Sequence, residues 1–422
     1  MSFIHEEQGI LHMESLSIER LAQHYPTPFY CYSANAIRQQ YRNFCEALAP
    51  LPALVCYALK VNSNQAILKI LANEGAGADV VSQGELCRAL AAGIPANKIV
   101  YSGVAKTAAE ITFALRQNIL CFNVESEAEL RQISSIAQAL NLTATISLRI
   151  NPDIDAGTHA KISTGKSENK FGIPYLEAIA TYKLAKALAG IKIAGIDMHI
   201  GSQIQKVSAF DAAIARLVEL IDELKTLDIT IEHVDFGGGL GVAYKEHDMS
   251  EDLLLAEYAA LIHKYSEILN CQLIFEPGRF ITANAGLLIT KVIYTKAVAR
   301  KTFVMVDAAM NDLIRPTLYD AWHRISPVKA QPNAALSLID VVGPVCESGD
   351  YLALDRYMPQ VEADDLLAVH SAGAYGAVTS NTYNTRRLIA EVLVDGHRDH
   401  IIRKSPSIEE IIALDTVPNW LS

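Results

Sequence analysis

The sequence lacks a long apolar stretch, an excess of basic residues and a paired-cysteine motif. It contains no run of about 18 apolar residues, which argues against a membrane-spanning helix. The 36 lysine and arginine residues are outnumbered by 47 acidic residues, and the formal net charge is −11. Because phosphate backbones and anionic lipids repel such a chain, we expect neither nucleic acid nor a membrane surface as a partner.

Seven cysteines are scattered at positions 31, 45, 56, 87, 121, 271 and 346 without a Cys-x-x-Cys pair. The odd number and irregular spacing argue against a disulfide framework or a zinc ribbon. We expect most of these thiols to be reduced and buried, as in a cytoplasmic protein. The acidic start does not resemble a secretory signal. The Asp and His spacing predicts no metal site.

The length of 422 residues exceeds that of most single hydrophobic cores, so two domains are expected. From residue 54 onward, short apolar runs alternate with amphipathic segments, which is typical of βα units with a parallel sheet. The runs are LVCYAL (54–59), AGADVV (76–81), IVYSG (99–103), LCFNV (120–124), TISLRI (145–150), IAGIDMHI (193–200), HVDFGG (233–238) and QLIFEP (272–277). Eight such repeats predict an α/β fold with a TIM-type (β/α)8 barrel.

The pattern changes near the end of the predicted barrel. From residue 285 onward, β-rich runs with few long helices between them predict a second, mainly antiparallel β domain. We assign residues 30–284 to the barrel, and residues 1–29 and 285–422 to the β domain. The sequence leaves open whether the N-terminal segment, which includes PFYCYS at 28–33, adds strands to the β domain.

Chemically distinctive residues fall at the predicted strand ends, where barrel enzymes hold their active sites. They are Lys60, Asp79, Arg149, His199, Gly237–Gly239 and Glu276. A single polar residue at such an end carries little information, because loops are exposed. So many together predict one converging site.

Lys60 and the glycine run of DFGGGLG (235–241) suit a cofactor with an aldehyde and a phosphate. An amine flanked by an apolar wall and other cations can lose its proton near neutral pH, as a Schiff-base lysine must. A solvated lysine is the alternative. Three glycines after a strand let backbone amides cradle a phosphate. A tight βα turn explains them equally well, and their spacing is not that of a Walker or dinucleotide loop.

The segments EPGR (276–279) and HIGSQ (199–203) add further functional groups. A carboxylate at Glu276 could keep a pyridine nitrogen protonated, which makes the ring an electron sink. Arg279 could face a phosphate or a carboxylate, although a loop ion pair is the alternative. His199 could stack on a ring and Ser202 could donate to phosphate. A structural histidine is the alternative for His199.

Taken together, the motifs resemble those of the fold-type III pyridoxal-phosphate decarboxylases, and specifically the diaminopimelate decarboxylase family. They occur in the same order over nearly the whole chain: YALKVN (57–62), GADVVSQGEL (77–86), LRINP (148–152), KFGI (170–173), HIGSQ, DFGGGLG, EPGR, NDLIRPTLYDAWH (311–323), GPVCESGD (343–350) and GAYG (373–376). The resemblance implies pyridoxal 5′-phosphate as cofactor and the conversion of meso-2,6-diaminopimelate to L-lysine and CO2.

The resemblance also implies roles for individual residues. Lys60 would carry the cofactor as a Schiff base, Glu276 would pair with the pyridine nitrogen, and His199 would stack on the ring and belong to the catalytic set. The other expected cofactor-binding residues are Asp79, Arg149, Ser202, Gly238, Gly239, Gly278, Arg279 and Tyr375.

A homodimer with shared active sites is implied as well, in which Cys346 and Glu347 enter the partner's site. Cys346 would protonate the carbanion left by decarboxylation, which suits a thiol. Glu347 would meet the distal ammonium of the substrate.

A distal carboxylate would be bound by Arg279 together with Arg315 and Tyr319, which are four positions apart in RPTLY. Without the surrounding motifs, a surface ion-pair face would be the simpler explanation of this pair. Tyr375 completes the expected substrate-binding set. Ornithine or arginine would give the arginine contacts no carboxylate to bind.

Other functions fit the same scaffold less well. The nearest alternative is a decarboxylase of another basic amino acid or polyamine precursor. A racemase should lack the Cys-Glu-Ser segment and the carboxylate contacts, and a non-catalytic homologue should have lost Lys60 or Cys346. Val61 and Trp322 depart from the family pattern, and Trp322 lies near the expected substrate segment.

Overall fold

The computed structural model of the protein describes residues 3–154 and 170–421. The chain divides into two compact units. The barrel unit comprises residues 38–243 and 247–281, and the β unit comprises residues 1–37, 244–246 and 282–422.

The strands in chain order are β1 (Ile4–Glu7), β2 (Ile10–Met13), β3 (Leu16–Ser17), β4 (Phe29–Ser33), β5 (Ala53–Ala58), β6 (Gly77–Val80), β7 (Ile99–Tyr101), β8 (Cys121–Val124), β9 (Ala144–Asn151), β10 (Ile173–Pro174), β11 (Ile191–Asp197), β12 (His233–Asp235), β13 (Gln272–Phe275), β14 (Gly286–Ala297), β15 (Thr302–Val306), β16 (Ile325–Pro327), β17 (Leu336–Val342), β18 (Tyr351–Pro359), β19 (Leu366–Val369), β20 (Ala390–Asp395) and β21 (Arg398–Arg403). The α-helices are α1 (Ile18–His24), α2 (Ala34–Leu48), α3 (Gln65–Asn73), α4 (Gln83–Ala92), α5 (Ala108–Gln117), α6 (Glu127–Ala139), α7 (Ala178–Ala187), α8 (Val207–Thr226), α9 (Glu251–Leu269), α10 (Arg279–Thr282), α11 (Arg315–Tyr319) and α12 (Ile408–Ile412).

The barrel unit is built on a closed ring of eight parallel strands. The strand order is β9-β11-β12-β13-β5-β6-β7-β8, and β8 pairs with β9 to close the ring. The short β10 pairs with β9 outside this ring. Each of the eight runs identified in the sequence overlaps one barrel strand. The predicted TIM-type barrel is therefore confirmed.

Local signals set the helix boundaries of the barrel unit. The Ser82 hydroxyl accepts from the Glu85 backbone N–H at 3.2 Å and starts α4. Thr107 and Glu110 form a reciprocal capping box at the start of α5. Gly93, at a φ of 90°, ends α4 in the left-handed region. Each N-terminal cap contributes about 1 kcal/mol to helix stability.

The β unit contains a mixed sheet of nine strands and a small sheet of β1, β2 and β3. The main path is β18-β17-β15-β14-β4-β20-β21; off this path, β19 pairs with β14 and β16 pairs with β19. Most pairings are antiparallel, as predicted, but β15 with β17 and β4 with β20 are parallel.

The N-terminal segment does contribute to this sheet. Strand β4 (Phe29–Ser33) is buried at every position and lies between β14 and β20. The predicted barrel boundary at residue 30 thus falls inside a strand of the β unit, whereas the compact units divide after residues 37 and 281. Strand β4 resembles a barrel strand in sequence because both are fully buried, so only its pairing shows the difference.

The seven cysteines are all free thiols. Cys31, Cys56 and Cys121 are buried, whereas Cys87 and Cys346 are exposed and the other two are half-buried. The expectation that most are buried is therefore wrong, because α4 and the loop after β17 place their cysteines toward solvent. None of the helices within residues 3–154 and 170–421 is both long and apolar enough to cross a membrane.

Candidate active site

The ends of β5 and β6 bring a lysine against an aspartate. Lys60 lies in a single 3-10 turn after β5, and Asp79 in β6 is in register with Ala58 of β5. The Lys60 Nζ donates to Asp79 Oδ2 at 2.6 Å, and Asp79 is fully buried. The sequence predicted apolar and cationic neighbours for this amine. The anionic neighbour found here instead favours the ammonium form.

Glu276 directly follows β13 and is buried among polar side chains. Its Oε1 accepts from Ser102 Oγ at 3.2 Å and from Asn123 Nδ2 at 3.4 Å. Burial raises the pKa of Glu276 well above its usual value, and the nearby Asp79 and Asp235 raise this pKa further. The protonated form of Glu276 is therefore favoured.

Glu276 belongs to a buried group of three acids with Asp197 and Asp235. One carboxylate oxygen of each lies within 4.8 Å of the others. Asp235 Oδ1 also accepts from the Gly237 backbone N–H at 2.9 Å. Burial raises the pKa of Asp235 to about 7, and it raises the pKa of Asp197 well above its usual value. The spacing along the chain gave no sign of this group, which is close enough to bind one cation.

Arg149 supplies positive charge next to these acids. Its Nη1 donates to Glu125 Oε1 at 3.0 Å, and its Nε lies 4.0 Å from Asp197 Oδ2. The guanidinium also lies over the Phe171 ring, 5.2 Å from the ring centroid. Arg149 is thus held in place from two sides by charge and by ring contact.

His199 follows β11 and is half-buried. Its Nδ1 accepts from the Gly238 backbone N–H at 3.2 Å, so Nδ1 carries the lone pair. Burial lowers the pKa of His199 well below its usual value, and the charges of Arg149 and Lys60 lower it further. A neutral ring with a single tautomer follows, and its flat face suits stacking on another ring.

The glycine run after β12 is required by close backbone approaches. A Cβ atom on Gly238 would lie 2.3 Å from the carbonyl oxygen of Glu276, and one on Gly239 would lie 2.5 Å from that of Gly201. Gly239 also has a φ of 107°, which L side chains rarely adopt. The run therefore presents bare backbone at the ends of β11, β12 and β13.

Arg279 begins α10 and is buried. Its Nη2 donates to Ser202 Oγ at 2.9 Å, which joins the EPGR and HIGSQ segments. Gly278 packs on the turn that carries Lys60, because a Cβ atom there would lie 2.2 Å from Val61 Cγ2. Both expected phosphate-binding segments thus meet within the barrel unit.

Two of the substrate-binding residues expected in the β unit, Arg315 and Tyr319, lie in α11. Arg315 is buried and Tyr319 is half-buried. Tyr375 is half-buried at a φ of 55°, and its carbonyl oxygen accepts from Thr379 Oγ1 at 2.8 Å. Trp322 stacks on the Arg356 guanidinium, which lies 4.3 Å from its ring centroid.

Cys346 and Glu347 are exposed in the loop between β17 and β18. The backbone N–H of Cys346 donates to Asn384 Oδ1 at 2.8 Å. The preceding N–H of Val345 donates to Asp350 Oδ2 at 2.6 Å. Two side chains therefore fix the backbone on which these residues stand.

The predicted residues fall into two groups by unit. The barrel unit holds Lys60, Asp79, Arg149, His199, Ser202, Gly238, Gly239, Glu276, Gly278 and Arg279, and the β unit holds Arg315, Tyr319, Cys346, Glu347 and Tyr375. Sequence reasoning missed Ser102, Asn123, Asp197 and Asp235, which surround Glu276. All four lie at or just after the ends of barrel strands. The strand-end rule would have found them if applied to every strand.

The barrel site fits a pyridoxal cofactor. It combines an amine, a carboxyl group whose protonated form is favoured, a neutral imidazole and bare glycine backbone. The buried Oδ1 atoms of Asp79 and Asp197 have no hydrogen-bond partner among the described residues. A bound polar molecule could satisfy such atoms.

Comparison with known proteins agrees with this geometry. Residues 34–283 match the family described as pyridoxal-dependent decarboxylase, pyridoxal binding domain. The diaminopimelate decarboxylase of Zymomonas mobilis is 46% identical over 418 residues, which cover 98% of this chain and 99% of that protein.

Solved structures of related enzymes also match nearly the whole of this chain. The diaminopimelate decarboxylase of Helicobacter pylori in complex with L-lysine is 43% identical, with a TM-score of 0.89 over 94% of this chain and 98% of that one. The enzyme of M. jannaschii, also in complex with L-lysine, is 36% identical, with a TM-score of 0.93 over 99% of both chains. This chain therefore belongs to the diaminopimelate decarboxylases, within the family of pyridoxal-dependent decarboxylases.

Proposed function

We propose that this protein decarboxylates meso-2,6-diaminopimelate to L-lysine and CO2, with pyridoxal phosphate bound covalently to Lys60. The observation that carries the proposal is the convergence of Lys60, His199 and Glu276 with the glycine run at the ends of the barrel strands. Family membership supports the same reaction.

The bound cofactor supplies an electron sink for the electron pair left when CO2 departs. Burial raises the pKa of Glu276 and so favours the protonated form, which can donate to a basic ring nitrogen. His199 offers a neutral flat face for the ring. Gly238, Gly239, Gly278, Ser202 and Arg279 would bind the phosphate, and Asp79, Arg149 and Tyr375 would complete the cofactor contacts.

The substrate contacts follow from the charges of the remaining residues. Arg279, Arg315 and Tyr319 would bind the distal carboxylate, assisted by Tyr375, and Glu347 would bind the distal ammonium. Cys346 would deliver a proton to the carbon that loses CO2.

We further propose a homodimer in which Cys346 and Glu347 act in the partner's site. Both residues are exposed. The β unit also exposes large apolar side chains, among them Leu336 at 64% and Tyr357 at 71% exposure. A second copy of the chain would cover such a surface.

The reaction is tested by measuring CO2 release with diaminopimelate, ornithine, arginine and lysine in turn. Diaminopimelate should be strongly preferred. Lys60→Ala should abolish turnover. Borohydride reduction should then no longer attach the cofactor to the peptide that contains position 60. Lys225→Ala, which changes a side chain 58% exposed on α8, is the control and should behave as wild type. Normal turnover by the Lys60 variant would overturn the assignment.

A further inference from the structure

A buried histidine contacts the arginine of α11. His323 is fully buried, and Arg315 is 7% exposed. The Arg315 Nη1 lies 2.8 Å from His323 Nε2. A guanidinium only donates hydrogen bonds, so Nε2 must be the acceptor.

The second ring nitrogen of His323 fixes the tautomer. Nδ1 lies 2.8 Å from the carbonyl oxygen of His370, which only accepts, so Nδ1 carries the hydrogen. That carbonyl is held in turn, because the His370 backbone N–H donates to the carbonyl of Arg324 at 2.8 Å and β16 pairs with β19 beside it. His323 is therefore a neutral imidazole in a single orientation.

An aromatic ring completes the arrangement. The Arg315 guanidinium lies 5.0 Å from the centroid of the Tyr244 ring. Tyr244 meets the His323 ring edge to face, with centroids 5.5 Å apart and planes at 84°. The guanidinium is thus directed by a neutral acceptor and by a ring face, and all three residues belong to the β unit.

We propose that His323 is a positioning residue that directs Arg315 toward the distal carboxylate of the substrate, and thereby sets the preference for substrates that have this group. The inference rests on the proposed function of Arg315. An uncharged acceptor orients a guanidinium without cancelling its charge. A carboxylate in the same place would compete with the substrate for that charge.

The test compares two variants of the holoenzyme. His323→Phe keeps a ring but loses the acceptor, whereas His323→Gln keeps an amide oxygen and an N–H. For His323→Phe we expect the KM for diaminopimelate to rise about 10- to 100-fold, the loss typical of one charge-assisted hydrogen bond. The kcat should change little, and His323→Gln should recover most of the affinity.

The diamine 1,5-diaminopentane provides the internal comparison, because it keeps both amines of the product L-lysine but lacks the carboxylate, which in that product is the distal one. Its dissociation constant, measured from the change in cofactor absorbance, should stay within about twofold of wild type in every variant. Equal weakening of 1,5-diaminopentane and diaminopimelate would mean a merely structural role and would overturn the inference. If His323→Phe does not fold, His323→Asn takes its place in the comparison with His323→Gln. Asparagine keeps the donor to His370 but is too short to reach Arg315.

A double-mutant cycle separates this inference from the proposed function. In an Arg315→Ala background, loss of the His323 acceptor should not raise the KM further, because His323 acts through Arg315. Additive effects would overturn the inference. If wild type does not prefer diaminopimelate, or Arg315→Ala leaves its KM unchanged, the proposed function of Arg315 fails instead.

Discussion

At the scale of single residues, burial decides which acids keep their protons. Asp235 is fully buried and lies next to Asp197 and Glu276, and Arg149 approaches the group on the Asp197 side. Taking a carboxylate out of water costs more than its hydrogen bonds return, so the neutral form is favoured. Burial raises the pKa of Glu276 in the same way and favours the protonated form, which can donate to a basic nitrogen.

We expect Asp235→Asn to flatten the pH dependence of stability in the cofactor-free protein. Burial raises the pKa of Asp235 to about 7 from the 3.8 of an unperturbed aspartate, so between these values the folded state holds a proton that the unfolded state releases. The unfolding free energy therefore falls as pH rises through this window, by an amount on the order of a few kcal/mol.

Urea denaturation at several pH values across this window measures the effect. Asp222→Asn, which changes a side chain 62% exposed on α8, is the control and should keep the wild-type pH dependence. An unchanged slope for Asp235→Asn would contradict the proposed burial effect.

At the scale of elements, short segments hold the reactive groups through backbone contacts. The run after β12 packs against the ends of β11 and β13, and the loop after β17 is held by Asn384 and Asp350. Such segments tolerate little change in backbone position. Substitutions in these segments should therefore impair ligand binding or catalysis more than they lower the free energy of unfolding.

Gly238→Ala should lower the affinity for pyridoxal phosphate by about 10-fold or more, as expected when backbone donors to a phosphate are displaced. The new Cβ atom would lie 2.3 Å from the Glu276 carbonyl oxygen, so the backbone must shift. Titration of the cofactor-free protein with pyridoxal phosphate measures the affinity.

Gly84→Ala is the matched control, because its Cβ atom would lie 3.7 Å from the nearest atom and it sits within α4. It should retain cofactor affinity and gain up to about 1 kcal/mol of helix stability. Equal affinities for the two variants would show that the glycine run does not bind the phosphate.

Asn384→Gly should reduce kcat while leaving cofactor affinity unchanged. Glycine accepts the φ of 55° at this position but removes the acceptor for the Cys346 N–H. The thiol would then be positioned less well for proton transfer, and we expect a loss of about 10-fold. Asn384→Asp keeps an acceptor oxygen and should retain most activity, as steady-state kinetics can show. A Gly variant with wild-type kcat would exclude a role for this contact.

At the scale of the whole molecule, the proposal requires two chains for one complete site. Lys60 lies in the barrel unit and Cys346 in the β unit. If Cys346 acts on the partner's substrate, the two residues of one site come from different chains. Symmetry then gives two equivalent sites per dimer.

Mixing two inactive variants tests this arrangement. Lys60→Ala and Cys346→Ala homodimers should each lose nearly all activity. After subunit exchange, half of the dimers are mixed and each mixed dimer has one intact site, so about a quarter of wild-type activity should return. No recovery, with exchange verified by differently tagged chains, would place Lys60 and Cys346 of one chain in the same site.

The sequence by itself determined the barrel and most of the proposed barrel site. Each strand, helix cap and glycine turn is encoded within a few neighbouring residues, and parallel strands bring their carboxyl ends together once the barrel closes. The sequence therefore suffices to predict that Lys60, His199, Glu276 and the glycine run lie in one region.

Only the tertiary structure decided what surrounds these residues. Asp235 and Asp197 come together from different strands. His323 accepts a hydrogen bond from Arg315 through Nε2 and donates one to the carbonyl oxygen of His370 through Nδ1. All of these contacts join separate elements. Strand β4 likewise belongs to the β unit because it pairs with β14, which lies far from it in the sequence. Such contacts leave no periodic or local signal, because they depend on how elements pack rather than on the residues next to them in the chain.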